Sequence, residues 1–132
     1  CLERTYLMKP SSFTVANAFS CAFRGIMLCF SGRNFKIQFC LGILAVILGF
    51  VFHIASHEWI ALIICISLVL GGEVGNTALE VAVDLVTDSY HDLARDAKDC
   101  AAGAVLLFSI ASLIVGCIIF IPKIAAFCGV VL

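Results

Sequence analysis

Between Glu73 and Asp84 the chain reads Glu-Val-Gly-Asn-Thr-Ala-Leu-Glu-Val-Ala-Val-Asp, three carboxylates and an amide closing an apolar stretch. At 100° per residue, Glu73, Glu80 and Asp84 fall within about 40° of one another, with Asn76 and Thr77 beside them. Carboxylates next to an amide suit a hard divalent cation, which takes oxygen ligands and keeps several waters. Downstream, Asp88, Ser89, Tyr90 and His91 lead into Arg95, Lys98 and Asp99. Lys98 near such a cation suits a polyphosphate. A carboxylate left free of the cation can take a proton from an attacking alcohol.

Not every polar residue here carries that weight. Asp88, Asp92 and Asp96 follow an i,i+4 rhythm with Arg95 nearby, the pattern of a solvated helix face. A lone His91 reads as an interfacial polar group, and His53 and His57 as residues facing water. Glu73 and Glu80 are different, because apolar neighbours such as Leu68-Val69-Leu70 and Ala78-Leu79 leave solvation no part in explaining them. Ionisable groups near hydrocarbon are costly, and where they persist they mark function.

The elements that must position these residues are membrane elements. The chain has 132 residues, 63% of them hydrophobic, well above the 45–50% typical of soluble domains. Seven of the nine acidic residues lie between Glu73 and Asp99, so a net charge of −1 hides an acidic belt. No basic cluster interleaved with aromatics suggests nucleic acid. The eight cysteines show no CxxC or Cys/His ligand spacing, and Cys40, Cys65 and Cys117 sit in apolar runs as small packing residues.

Residues 11–32 alternate apolar and small polar residues at helical spacing, with Phe13, Ala16, Phe23, Met27 and Phe30 on one side. That pattern predicts an amphipathic helix at the membrane surface. Membrane helices are expected over 35–53, 59–86 and 98–121, with Thr87 to Asp99 as a polar connection. The second is longer than a hydrocarbon core of about 30 Å, so its carboxylate end must emerge into the interface. No cleavable signal peptide is expected before the first apolar run, and either Cys1 or Met8 can be the natural start. Arg24, Arg33 and Lys36 flank the first span and Arg95 and Lys98 the third, whereas the 53–58 link has no Lys or Arg. The positive-inside rule then places the N-terminus and the acidic motif in the cytoplasm, with Lys123 a dissenting charge. The fold class expected is all-α and integral to the membrane.

Glu73-x-x-Asn76-Thr77-Ala78-x-Glu80-x-x-x-Asp84, followed by Tyr90-His91 and Ala97-Lys98-Asp99-x-Ala101-Ala102-Gly103-Ala104-Val105, resembles the prokaryotic diacylglycerol kinase family. That family includes the undecaprenol kinases, and the resemblance runs from about Phe13 to Pro122. It implies one membrane lipid-kinase domain over 1–132, a homotrimer in the bacterial cytoplasmic (inner) membrane, with active sites shared between subunits and facing the cytoplasm. It implies transfer of the γ-phosphate of ATP, with Mg2+, to the primary hydroxyl of a lipid alcohol, diacylglycerol or undecaprenol. By the same resemblance Glu73 is the general base and meets the lipid, and Glu80 holds the metal. Asn76, Glu80, Ser89, Tyr90, His91, Lys98 and Asp99 contact the nucleotide or its metal. Asn34, Gln38 and Ala102 border the lipid, and Asp84 is a further polar residue of the site. The Arg33-Asn34-Phe35-Lys36-Ile37 stretch is closer to the undecaprenol kinase branch.

One position departs from the family pattern. Just before that stretch the family carries a second metal-binding glutamate, and here the residue is Gly32. The alternative reading is therefore a catalytically weak or non-enzymatic membrane subunit that keeps the kinase fold.

Overall fold

A computed structural model describes residues 14–87 and 89–129. The expected start of the surface helix at 11–13, Phe13, Cys1, Met8 and Asp88 lie outside the described residues. The described chain is all-helical: α1 Val15–Cys29, α2 Arg33–Val51, α3 Ser56–Val86 and α4 Asp92–Phe127. The last three are each long and apolar enough to cross a membrane. With its 31 residues α3 measures about 46 Å, and α4 with 36 residues about 54 Å, so both overrun a bilayer core.

α1 joins α2 through a tight corner at Phe30–Gly32. Phe30 sits 4.8 Å from Phe35 and 5.0 Å from Phe39, ring centre to ring centre, in edge-to-face contacts. Such pairs contribute beyond their buried area and fix how α1 leaves α2. Most of α1 is exposed, including Phe19 and Phe23, as an amphipathic helix resting on a membrane surface would be.

α2 ends in a Schellman motif. His53 takes a left-handed backbone at φ +48°, while Ile54 N–H donates to Gly49 carbonyl oxygen and His53 N–H to Phe50 carbonyl oxygen. Trp59 and Ile54 then close over Gly49, where a Cβ would lie 2.8 Å from the indole. Ile54, Leu62, Ile119 and Phe120 form the core cluster at this end. Glu58 supports the same turn: its Oε2 accepts the Ala55 N–H and its Oε1 pairs with Lys123 at 3.0 Å. The charge that dissented from the orientation rule is thus paired across the α3–α4 seam.

The helix boundaries shift by no more than a few residues from the sequence expectation except at the two ends of α4, where the difference is larger. α4 starts at Asp92 rather than 98, because His91 caps it by accepting the Leu93 N–H and Asp92 complements its dipole. The 92–99 stretch is therefore a helical extension with one wet face, and the true connection is only residues 87–91. α4 also continues through Pro122 to Phe127 rather than stopping at 121.

Among the described residues the α3–α4 seam is the most extensive packing interface, and Gly72 sits in it. A Cβ there would lie 2.8 Å from the Phe108 ring, whereas one at Gly103 would meet nothing within 4 Å. Gly72→Ala should cost about 1–3 kcal/mol through overpacking, and Gly103→Ala should be neutral. Thermal unfolding in detergent compares the two, and equal midpoints would contradict this account of the seam.

Candidate active site

Helix α3 carries the site along one face. Glu73 lies roughly 26 Å from the start of α3 and is 7% exposed, the one buried charged side chain among the described residues. Its neighbour Gly72 is the point where Phe108 of α4 presses against α3. From α2, Gln38 Nε2 donates to Glu73 Oε2 at 3.5 Å. α2 thus meets α3 at this carboxylate, and α4 packs against α3 one residue before it.

One turn on, Asn76 Nδ2 donates to Glu80 Oε1 at 2.9 Å. Another turn on, Asp84 Oδ1 pairs with Lys98 Nζ of α4. The face therefore grades from a buried carboxylate to exposed charge as it leaves the apolar part of the bundle. The buried amide oxygens Gln38 Oε1 and Asn76 Oδ1 have no hydrogen-bond donor among the described residues. Each costs free energy unless a further group supplies a donor.

A second polar network lies at the start of α4. Arg95 Nη1 donates to Tyr90 Oη at 3.0 Å, and Tyr90 Oη donates to Asp92 Oδ1 at 3.0 Å. Arg95 also approaches Asp96 at 3.5 Å and Asp99 at 4.0 Å. His91 Nδ1 is occupied as the cap of α4, which leaves its proton on Nε2 when the ring is neutral. Ser89 is tied to Thr87 by reciprocal hydrogen bonds.

The expected site residues thus fall into groups. Gln38, Glu73, Asn76, Glu80, Asp84 and Lys98 line up in linked pairs. Tyr90 and Asp99 are gathered by Arg95 instead, Ser89 and His91 are spent on the link, and Asn34 and Ala102 are exposed. Two roles went unassigned from sequence: Arg95 as the fastener of the link, and Glu58 with Lys123 as the tie at the other end. Neither carries a spacing signal: Tyr90 lies outside α4, so no helical periodicity links it to Arg95, and Glu58 and Lys123 sit on different helices.

The donor set can be tested against a divalent cation. No three His, Cys, Asp or Glu side chains converge among the described residues, and Gly32 supplies no carboxylate. Glu80 is exposed with Asn76 beside it. One carboxylate and an amide fit a cation that brings waters and phosphate oxygens as its other ligands, the habit of magnesium at nucleotides.

A cleft of about 460 Å³ runs between α2, α3 and α4, with Gln38 and Leu41 near one end and Phe120 and Ile124 near the other. Its lining is almost wholly apolar.

Fold and site together define a helical membrane protein with a carboxylate sunk into the bundle and a charged face leading away from it, the layout of a membrane-embedded enzyme. Residues 20–120 match the family described as prokaryotic diacylglycerol kinase. An undecaprenol kinase of Bacillus subtilis is 42% identical over 91 residues, covering 69% of this chain and 74% of that protein. A diacylglycerol kinase of a Synechocystis species is 42% identical over 107 residues, 80% of this chain and 61% of that protein. A diacylglycerol kinase of Escherichia coli is 34% identical over 77 residues, 58% of this chain and 63% of that protein. For the last two, the match spans less than two thirds of the relative's length. The chain belongs to the prokaryotic diacylglycerol kinase family, a family of lipid kinases.

A carboxylate held out of water for chemistry should cost stability. Glu73→Leu should raise the unfolding free energy by about 1–3 kcal/mol, as when a buried polar group gives way to apolar packing. A lowered midpoint in thermal unfolding would show that Glu73 supports the fold instead.

Proposed function

We propose that the protein transfers the γ-phosphoryl group of ATP to the primary hydroxyl of a membrane lipid alcohol, diacylglycerol or undecaprenol, at the cytoplasmic face of the membrane. The observation that carries this is the placement of Glu73: buried, apolar on its flanks, and followed by Asn76, Glu80, Asp84 and Lys98 along the same face. A lipid hydroxyl reaches such a carboxylate from the hydrocarbon side. A nucleotide reaches the charged end of the face from water.

Glu73 accepts the proton of the lipid hydroxyl as its oxygen attacks the γ-phosphorus. Lys98 exchanges Asp84 for phosphate oxygens, trading one charge-assisted hydrogen bond for another. Asn76 and Glu80 are the residues to hold a magnesium ion carried by the triphosphate. That ion, when bound, neutralises charge on the phosphates. Asp99, with Tyr90 and His91 at the link, borders the nucleotide, and Ser89 holds the link's shape through Thr87. Catalysis of this kind is mostly positioning and charge neutralisation. Asn34, Gln38 and Ala102 border the lipid.

Gly71 and Gly75 lie one turn apart on α3, and a Cβ at either would meet nothing within 4 Å. A small-residue face suits close approach by another helix, in keeping with the homotrimer and shared sites that family resemblance implies. Between the two lipids, the stretch from Arg33 to Ile37 favours undecaprenol. Residues 1–132 form one domain on this reading.

In mixed micelles, γ-labelled ATP and magnesium should label undecaprenol or diacylglycerol. Glu73→Gln should abolish transfer, and Lys98→Met should raise the KM for ATP at least ~10-fold. Folded protein that labels neither lipid would refute the reading. Gly32→Glu should lower the magnesium concentration needed for half-maximal rate, and an unchanged requirement would show that the lost carboxylate is not limiting.

A further inference from the structure

The groove and the buried carboxylate meet at one side chain, Gln38. Three amide or hydroxyl side chains line the groove: Gln38, Ser109 and Ser112. The serines are spent, Ser109 Oγ donating to Val105 carbonyl oxygen at 2.9 Å and Ser112 Oγ to Cys65 carbonyl oxygen at 3.4 Å. Of the three, Gln38 is poised between two environments, its Nε2 on Glu73 Oε2 and its Oε1 buried without a donor among the described residues.

We propose that Gln38 is the positioning residue for the Glu73 base, selecting which carboxylate oxygen takes the proton. The proposal rests on the lipid-kinase reading and assigns a role within it. Tied at Oε2, the carboxylate keeps Oε1 free to face the substrate. The lipid O–H bond breaks with its proton passing to Glu73 Oε1. The alcohol oxygen bonds to the γ-phosphorus, the bond from phosphorus to the leaving oxygen breaks, and ADP departs with that electron pair. Glu73 then returns the proton to water.

The free Gln38 Oε1 completes the device. Amide nitrogen and oxygen are nearly isosteric, and the terminal torsion of glutamine is broad. A half turn therefore presents an acceptor to Glu73 once it carries a proton, so one side chain serves both protonation states. A separation of 3.5 Å is long for a hydrogen bond, as is common where catalytic contacts tighten only around substrate. An apolar chain lying in the groove would end at this amide, which brings its terminal hydroxyl to the base.

The test is Gln38→Met, which keeps length and apolar volume but removes both the donor and the acceptor. Misplacing a reacting group by an ångström costs up to about 100-fold. Lipid phosphorylation by Gln38→Met should lose 10- to 100-fold in kcat, with the KM for ATP within about twofold of the parent. A parental kcat, or kcat and ATP KM deteriorating together, would overturn the assignment. A stability cycle combining Gln38→Met with Glu73→Leu reads the pair without reference to activity. Non-additive unfolding free energies support the coupling, and additive ones overturn it even if the kinase is active. A parent that transfers no phosphate refutes the lipid-kinase reading instead, and the cycle still decides whether Gln38 acts on Glu73.

Discussion

The structure depends on keeping one carboxylate out of water. Glu73 is buried among apolar helix surfaces, where a polar group is costly unless it is hydrogen-bonded. Among the described residues no Lys, Arg or His pairs with it; the amide of Gln38 is what reaches it. The packing around it meets that requirement. Gly72 lets α4 close against α3 beside it, and the long α3 carries the rest of the polar face away from the apolar zone.

Along that face the burial of charge is graded. Glu73 is enclosed, Asn76 half-buried, and Glu80 and Asp84 exposed. A lipid and a water-soluble nucleotide approach from opposite directions, so a reaction between them needs a site spanning this gradient. The ion pair of Lys98 with Asp84 stands at the wet end. Exposed pairs of this kind contribute little stability, which leaves the lysine free to exchange partners. The far end of the bundle is built otherwise: aromatic packing over Gly49, a helix-stop at His53 and the tie from Glu58 to Lys123. It reads as an anchor for the helices and carries none of the proposed chemistry.

The spans were legible because hydrocarbon demands long apolar helices, and composition alone reveals those. The shared face of Glu73, Glu80 and Asp84 followed from helical periodicity. The start of α4 was not legible, since a run as polar as 92–99 reads as a connection until His91 is seen to cap it. Nor could spacing show that Gln38 of α2 reaches Glu73, a contact 35 residues apart. Tertiary pairings of that kind depend on how α2 and α3 cross, which periodicity within each helix does not encode. The same holds for Lys123, which looked anomalous as a charge in sequence and is ordinary as the partner of Glu58.

The most direct measurement is a structure of the protein in a bilayer mimic, bound to a non-hydrolysable ATP analogue, magnesium and a lipid alcohol. The lipid hydroxyl should lie about 2.6–3.2 Å from the Glu73 carboxylate, with phosphate oxygens on Lys98. A hydroxyl bound at another residue, with Glu73 still enclosed and facing no ligand, would contradict it.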